Sequence, residues 1–346
     1  MTQHGQEPSA VVTGIIDGDG HFFERDELLY PYFDAQKYPI EGLRRYYLFP
    51  DLDGWRRGPA GRPYGDDVQG WHTFMDAAQI AESVLYPTAG LGFAHARDPE
   101  WAADLARAYN DFVYDYYLKQ TPRLKAVALI PVQAPHAAAQ ELRRAVTELG
   151  MVGAVLPAPG LSRPYGDRAF DPLYETANAL GTMLAVHGAS RRDLGFDFYH
   201  ATETRPESAQ GGFIVAHPLA QIVQFVNMTL ERVFERFPHM KVAFLEAGCG
   251  WVPYFIERID RRTKGLASAQ VQQYPVYFHA ELEEKEVLTT CIKVLGDDRL
   301  VYASDYPHEP EDEIIESLQH FLGREDLSLR SKEKILRDNI KVLYGM

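Results

Sequence analysis

Cysteine is scarce in this chain: only Cys249 and Cys291 occur in 346 residues. Two thiols make neither a disulfide framework nor a cysteine-ligated zinc site, so both read as reduced, buried side chains of a cytoplasmic protein. Positive charge is also in deficit. Lys and Arg total 35 against 49 Asp and Glu, a formal net charge of −14. No run of Lys and Arg offsets this, so a nucleic-acid surface, which needs clustered positive charge, is not expected. No apolar run approaches the ~18 residues of a membrane span. No solenoid or heptad period and no low-complexity tract is present. The opening "MTQHGQEPSA" lacks an apolar signal core, and residues 1–12 read as a short disordered tail. No Gly-x-Gly-x-x-Gly turn follows the first β-rich run, which counts against a dinucleotide-binding fold.

What the chain does have is alternation. Short β-rich runs recur at 13–22, 83–88, 125–132, 153–159, 182–188, 241–248, 274–280 and 299–307. They are continuous apolar runs, the pattern of strands covered on both faces. Helical spacing fills the intervals, as in "DPEWAADLARAYNDFVYDYYLKQ", "APHAAAQELRRAVTELG", "LAQIVQFVNMTLERVFERFP" and "EDEIIESLQHFLG". Strand–helix repeated in this way predicts an α/β fold, a (β/α)8 TIM barrel over residues 13–346 as a single domain. An open doubly wound sheet is the alternative. Two connections are too long to be plain linkers: the aromatic-rich 22–72 and the stretch 188–216. Such loops are lids or binding loops, or else surface excursions packed on their own aromatics.

Barrel chemistry sits at the carboxyl ends of the strands. The first run ends on Asp19 and His21, which are two apart and so share a face, with Glu24 just beyond. The fifth ends on His187, the sixth on Glu246, and the eighth on Asp305 followed by His308. His217 precedes Pro218, where the long fifth connection turns into a helix. Each has an ordinary reading alone: a satisfied core histidine, an arginine's partner, a helix cap. Four carboxylates and four histidines converging at the catalytic end point to a metal site.

The segments "DGDGHFFE", "AVHG", "AHP", "FERFPHMKVAFLEAGCGWVPYFIERID" and "YASDYPHEP" together resemble the amidohydrolase superfamily, most of all its amidohydrolase-related, decarboxylase-like branch. The resemblance runs from about residue 14 to 346 and implies a distorted (β/α)8 barrel with metal at the strand ends. His21, His187 and Asp305 carry over directly. The usual His-x-His is Asp19-Gly20-His21 here, and the usual sixth-strand histidine is Glu246. "GAVLPAPG" offers no lysine for a bridging carbamate. Asp19, Glu24, His217, Glu246 and His308 match only a sub-branch with these variants, which includes a non-haem di-iron monooxygenase of diterpenoid natural-product assembly.

Eight donors are too many for one zinc, while mixed carboxylate and imidazole ligands suit iron or manganese. The expected division gives Asp19, His21, His187 and Asp305 to one metal, with Glu24, His217, Glu246 and His308 holding or supporting a second. Glu246 or Glu24 would bridge. On this reading two irons use O2 and an electron donor to hydroxylate a largely apolar small molecule, with the aromatic stretch 22–72 excluding water. His187, Asp305 and Glu246 are the expected catalytic groups. Arg191 and Arg192 would anchor an acid or thioester, and His279 and Trp251 would line the pocket. The alternative is one zinc or manganese serving hydrolysis or non-oxidative decarboxylation of a small aromatic or carboxylic acid, with His187 or Asp305 moving the proton. A binding protein without catalysis is a third reading. A homodimer is the default assembly.

Overall fold

The computed structural model describes residues 12–50, 67–158, 160–161, 163–188 and 210–346. Eight parallel strands run in chain order: β1 (Ile15–Phe22), β2 (Ile80–Pro87), β3 (Leu124–Ala126), β4 (Gly153–Pro157), β5 (Met183–His187), β6 (Lys241–Leu245), β7 (Val276–His279) and β8 (Leu300–Val301). They form the runs β1-β2-β3 and β4-β5-β6-β7-β8. Backbone contacts close the circle. Ala128, just past β3, bridges Ala154 of β4. At the other seam Gly18 N donates to Tyr302 O at 3.1 Å and Asp305 N to Asp19 O at 3.0 Å. The result is the expected TIM-type barrel.

A principal helix follows each strand: α1 (Val68–Ala77), α2 (Pro99–Val113), α3 (Pro135–Glu148), α4 (Asp171–Leu180), α5 (Gln210–Leu230), α6 (Trp251–Thr263), α7 (Lys285–Leu295) and α8 (Glu311–Leu322). Local chemistry explains their ends. Asp98 caps α2 by accepting from Glu100 N and Trp101 N, with Pro99 in the first turn. Gly181 stops α4 in the left-handed region at φ 62°. One helix start departs from expectation: α5 begins at Gln210, so Pro218 lies inside it. With helices outside, β4 and β5 are buried at every position, which is why they read as unbroken apolar runs.

The first insertion behaves mostly as a surface excursion with its own core. Leu29, Phe33, Leu43, Leu48 and Phe49 are buried, and the segment is fastened to α2. Phe33 stacks on Trp101 at 5.4 Å between ring centroids, and Tyr38 Oη donates to Asp104 Oδ2 at 2.7 Å. Its contact with the strand-end site comes through Phe23, whose ring lies 5.6 Å from that of His308. In the described part Tyr32, Phe33, Tyr38 and Phe49 pack on α2, and Phe23 faces the site. Residues 51–66 and 189–209 of the insertions, Arg191 and Arg192 among them, lie outside the described residues, as do residues 1–11 of the expected tail, whose last residue, Val12, is buried. Both cysteines are free and buried, as expected. No described helix is long and apolar enough to cross a membrane.

Candidate metal centre

The site starts from the Asp-Gly-Asp-Gly-His run of β1. A Cβ on Gly18 would lie 2.7 Å from Tyr302 O, and one on Gly20 2.4 Å from Trp71 Cη2. Glycine is therefore required between the functional residues so that β1 can approach the barrel seam and α1. Asp17 accepts from Ser83 Oγ on β2 at 2.6 Å and from Ser304 N and Oγ beyond β8 at 2.8 and 2.9 Å. It is a clamp across three strands. Burial pushes its carboxyl up to about 6 in spite of these hydrogen bonds.

Asp19, His21 and His187 are buried and face one another. Asp19 Oδ2 lies 3.0 Å from His187 Nε2, and Asp19 Oδ1 3.4 Å from His21 Nε2. Asp305 Oδ1 is 3.3 Å from His21 Nε2, and Glu246 Oε2 is 3.2 Å from His187 Nε2. The ring orientations are fixed from behind. His21 Nδ1 donates to Pro87 O at 2.8 Å, and His187 Nδ1 donates to Gly188 O. In the neutral rings each Nε2 then presents a lone pair to the site. Glu246 and Asp305 hold left-handed backbone angles, φ 56° and 53°, an uncommon conformation for non-glycine residues that turns both carboxylates inward.

The electrostatics call for a cation. Burial, with His308 and His187 close by, holds His21 well below the usual imidazole range. Burial raises Asp19. Burial and the neighbouring Asp305 and Asp19 push Glu246 well above the carboxylate range. Burial alone would depress His187, but the charge and hydrogen bond of Asp19 outweigh it and the net shift is upward. Among the described residues, the ion-pair partners of Asp19, Glu246 and Asp305 are all histidines. Asp19 Oδ1 and His21 Nε2 are buried with no hydrogen-bond partner. Acceptors facing acceptors in a dry site fit a divalent metal, and a histidine kept neutral is ready to ligate.

The other expected ligands are placed differently. Glu24 turns both oxygens onto backbone: it accepts from Thr88 N at 3.1 Å and from Ala89 N and Gly90 N at 2.8 Å each, tying down the helical turn Ala89–His95. His308 stacks on His21 at 4.1 Å, faces Asp305 Oδ1 through Nδ1 at 2.9 Å, and meets Thr88 Oγ1 through Nε2 at 2.9 Å. The Nδ1 contact braces Asp305. His217 Nδ1 is 3.5 Å from Glu246 Oε1. Trp251 is a packing residue, wedged among Phe225, Phe244 and Phe278 with its indole N–H donated to Gly248 O. Glu24 is thus engaged by backbone, while His308 forms a second possible donor trio with His21 and Asp305 and leaves Glu246 and His217 beside the first. The clamp of Asp17, Ser83 and Ser304 is not among the expected site residues, although Asp17 shares the parity of Asp19 and His21.

Residues 16–346 match the amidohydrolase family. The chain belongs to this family. Gamma-resorcylate decarboxylase of Polaromonas sp. (strain JS666 / ATCC BAA-500) is 29% identical over 235 residues, covering 61% of this chain and 68% of that protein. A 2-amino-3-carboxymuconate-6-semialdehyde decarboxylase of Dictyostelium discoideum is 23% identical over 267 residues, 73% of this chain and 70% of that one. Among solved structures, dihydroxybenzoic acid decarboxylase of Polaromonas sp. JS666, with bound manganese and the inhibitor 2-nitroresorcinol, superposes with a TM-score of 0.73 at 22% identity, covering 96% of this chain and 97% of that one. The 5-carboxyvanillate decarboxylase of Novosphingobium aromaticivorans DSM 12444, with manganese and 4-hydroxy-3-methoxy-5-nitrobenzoic acid, gives 0.75 at 20% identity over the full length of both chains. These relatives overturn the expected di-iron monooxygenase and the oxidoreductase class with it. They are decarboxylases, and both structures hold manganese.

Proposed function

We propose that this amidohydrolase-family chain is a divalent-metal-dependent, non-oxidative decarboxylase of a phenolic or related aromatic carboxylic acid. The observation that carries this reading is the convergence of Asp19, His21, His187 and Asp305 on one largely buried space with Glu246 at its edge. The reaction breaks the bond between the ring carbon and its carboxylate. CO2 leaves, the electron pair stays on the ring carbon, and a proton takes the vacated position. Nothing is oxidised, so no O2 or electron donor is needed.

Asp19, His21, His187 and Asp305 would hold a single ion of the manganese or zinc type. Such an ion supplies a Lewis acid that polarises the substrate's oxygens and offsets charge in the transition state. Glu246 is suited to deliver the proton: burial and two neighbouring carboxylates favour its protonated form, and Oε2 has no hydrogen-bond partner. His217, 3.5 Å from the other oxygen, lies where it can return a proton to Glu246. His308 keeps Asp305 turned inward through its 2.9 Å contact.

The test is turnover of 2,6-dihydroxybenzoate and 5-carboxyvanillate by the manganese-loaded protein in D2O, under argon and under air. The expected result is CO2 release with one deuterium at the vacated ring position, at equal rates in both gases. A requirement for O2, or no CO2 from either acid, would overturn the proposal.

A further inference from the structure

One buried group at the strand ends has no task in the scheme above. His279 closes β7 and is 4% exposed, and neither Nδ1 nor Nε2 has a hydrogen-bond partner. A neutral imidazole always carries one N–H and one lone pair, and leaving both unsatisfied away from water is costly. Nδ1 lies 3.9 Å from Glu281 Oε2, beyond hydrogen-bond reach.

Sheet register fixes where the ring points. Ala185 of β5 pairs with Ala243 of β6, and Ala243 with Tyr277 of β7. Residues in register on parallel strands share a face, as do residues two apart on one strand. His279 is therefore on the same face of the barrel wall as His187. It belongs to neither trio of potential metal donors among the described residues, Asp19–His21–His187 or His21–Asp305–His308.

We infer that His279 binds an acidic oxygen of the aromatic substrate, donating through Nε2. The inference rests on the decarboxylase reading and assigns the substrate a second anionic oxygen, carboxylate or phenolate, away from the metal ligands. The chemistry asks for such a donor. An anionic oxygen held away from the metal, in a buried pocket that also holds the carboxyl groups of Asp19, Glu246 and Asp305, needs an N–H of its own.

The test uses manganese-loaded protein and two probes, 2-nitroresorcinol and 4-hydroxy-3-methoxy-5-nitrobenzoic acid, titrated calorimetrically. His279→Ala should weaken binding by at least ~10-fold, the scale of one lost charge-assisted hydrogen bond. Manganese content and melting temperature should stay unchanged, and any loss in turnover should fall mainly on KM. His279→Gln, whose amide nitrogen reaches the Nε2 position, should recover part of the affinity, and His279→Asn should not. The comparison of the Gln and Asn variants decides the matter even if the Ala variant fails to fold. Equal affinities in wild type and His279→Ala would overturn this inference alone. Loss of manganese in His279→Ala would overturn it by making His279 a ligand. If the wild-type protein binds neither probe and decarboxylates neither acid, the decarboxylase reading fails and takes this inference with it.

Discussion

His187 Nε2 lies 3.0 Å from Asp19 Oδ2 although 168 residues separate them. Neither side chain reaches bulk water. The pair links the two runs of strands across the barrel mouth, since Asp19 lies on β1 of the first and His187 ends β5 of the second. What the two share is a space lined by acceptor atoms, and the first prediction concerns its contents.

Asp19→Ala and His187→Ala should each weaken manganese binding by more than the ~10–100-fold that loss of an outer-shell partner costs. Metal analysis after dialysis against a buffered manganese series reads this directly. Chelation of the wild-type protein should abolish decarboxylation, and added manganese should restore it. His308→Ala should stay within the 10–100-fold range, because it removes a support of Asp305 and not a ligand.

Glu24→Ala separates a backbone clamp from a metal ligand. The substitution leaves three backbone N–H groups at residues 88–90 without their acceptor. Stability should fall by at least ~2 kcal/mol in urea unfolding, while manganese content per chain stays at the wild-type level. Loss of metal with unchanged stability would restore Glu24 to the ligand set.

Glu246→Gln keeps the shape and hydrogen-bonding capacity of the side chain but removes the transferable proton. The rate of decarboxylation should drop by roughly 10²–10⁴-fold, the usual contribution of a positioned acid. Probe binding should change little. A variant with full kcat would transfer the proton-donor role to another group.

Asp17 gives a pH signature in stability. Its carboxyl rises from 3.8 to about 6 in the folded chain, so the folded state holds a proton that the unfolded state releases over that interval. The stability this contributes is fully present below pH 3.8 and is lost as pH rises through 6. The shift corresponds to about 3 kcal/mol. Asp17→Asn removes the titration, so the stability of wild type relative to the variant should decline by up to about 3 kcal/mol between pH 4 and pH 8. Urea unfolding of both proteins across that range measures it; parallel curves would show that Asp17 does not titrate there.

The amino-acid sequence by itself determined the barrel and the strand-end positions of its polar residues. Both are local properties. A strand buried on both faces must be apolar throughout, and a polar residue that closes such a run stands at its end, as His187 and Glu246 do. Parity was equally legible, since Asp19 and His21 are two apart on β1. What only the tertiary structure decided is which donors meet. Glu24 and Asp17 have the same functional group as Asp19 and lie within seven residues of one another on the chain. Yet one ties down a helical turn, one clamps three strands, and one faces the pocket. That assignment depends on where Thr88, Ala89, Gly90, Ser83 and Ser304 put their N–H and O–H groups, and these come from remote segments brought up by barrel closure. The ligand set follows the same logic, because candidate ligands along a chain become a coordination set only after hydrogen bonding from other strands has claimed its share.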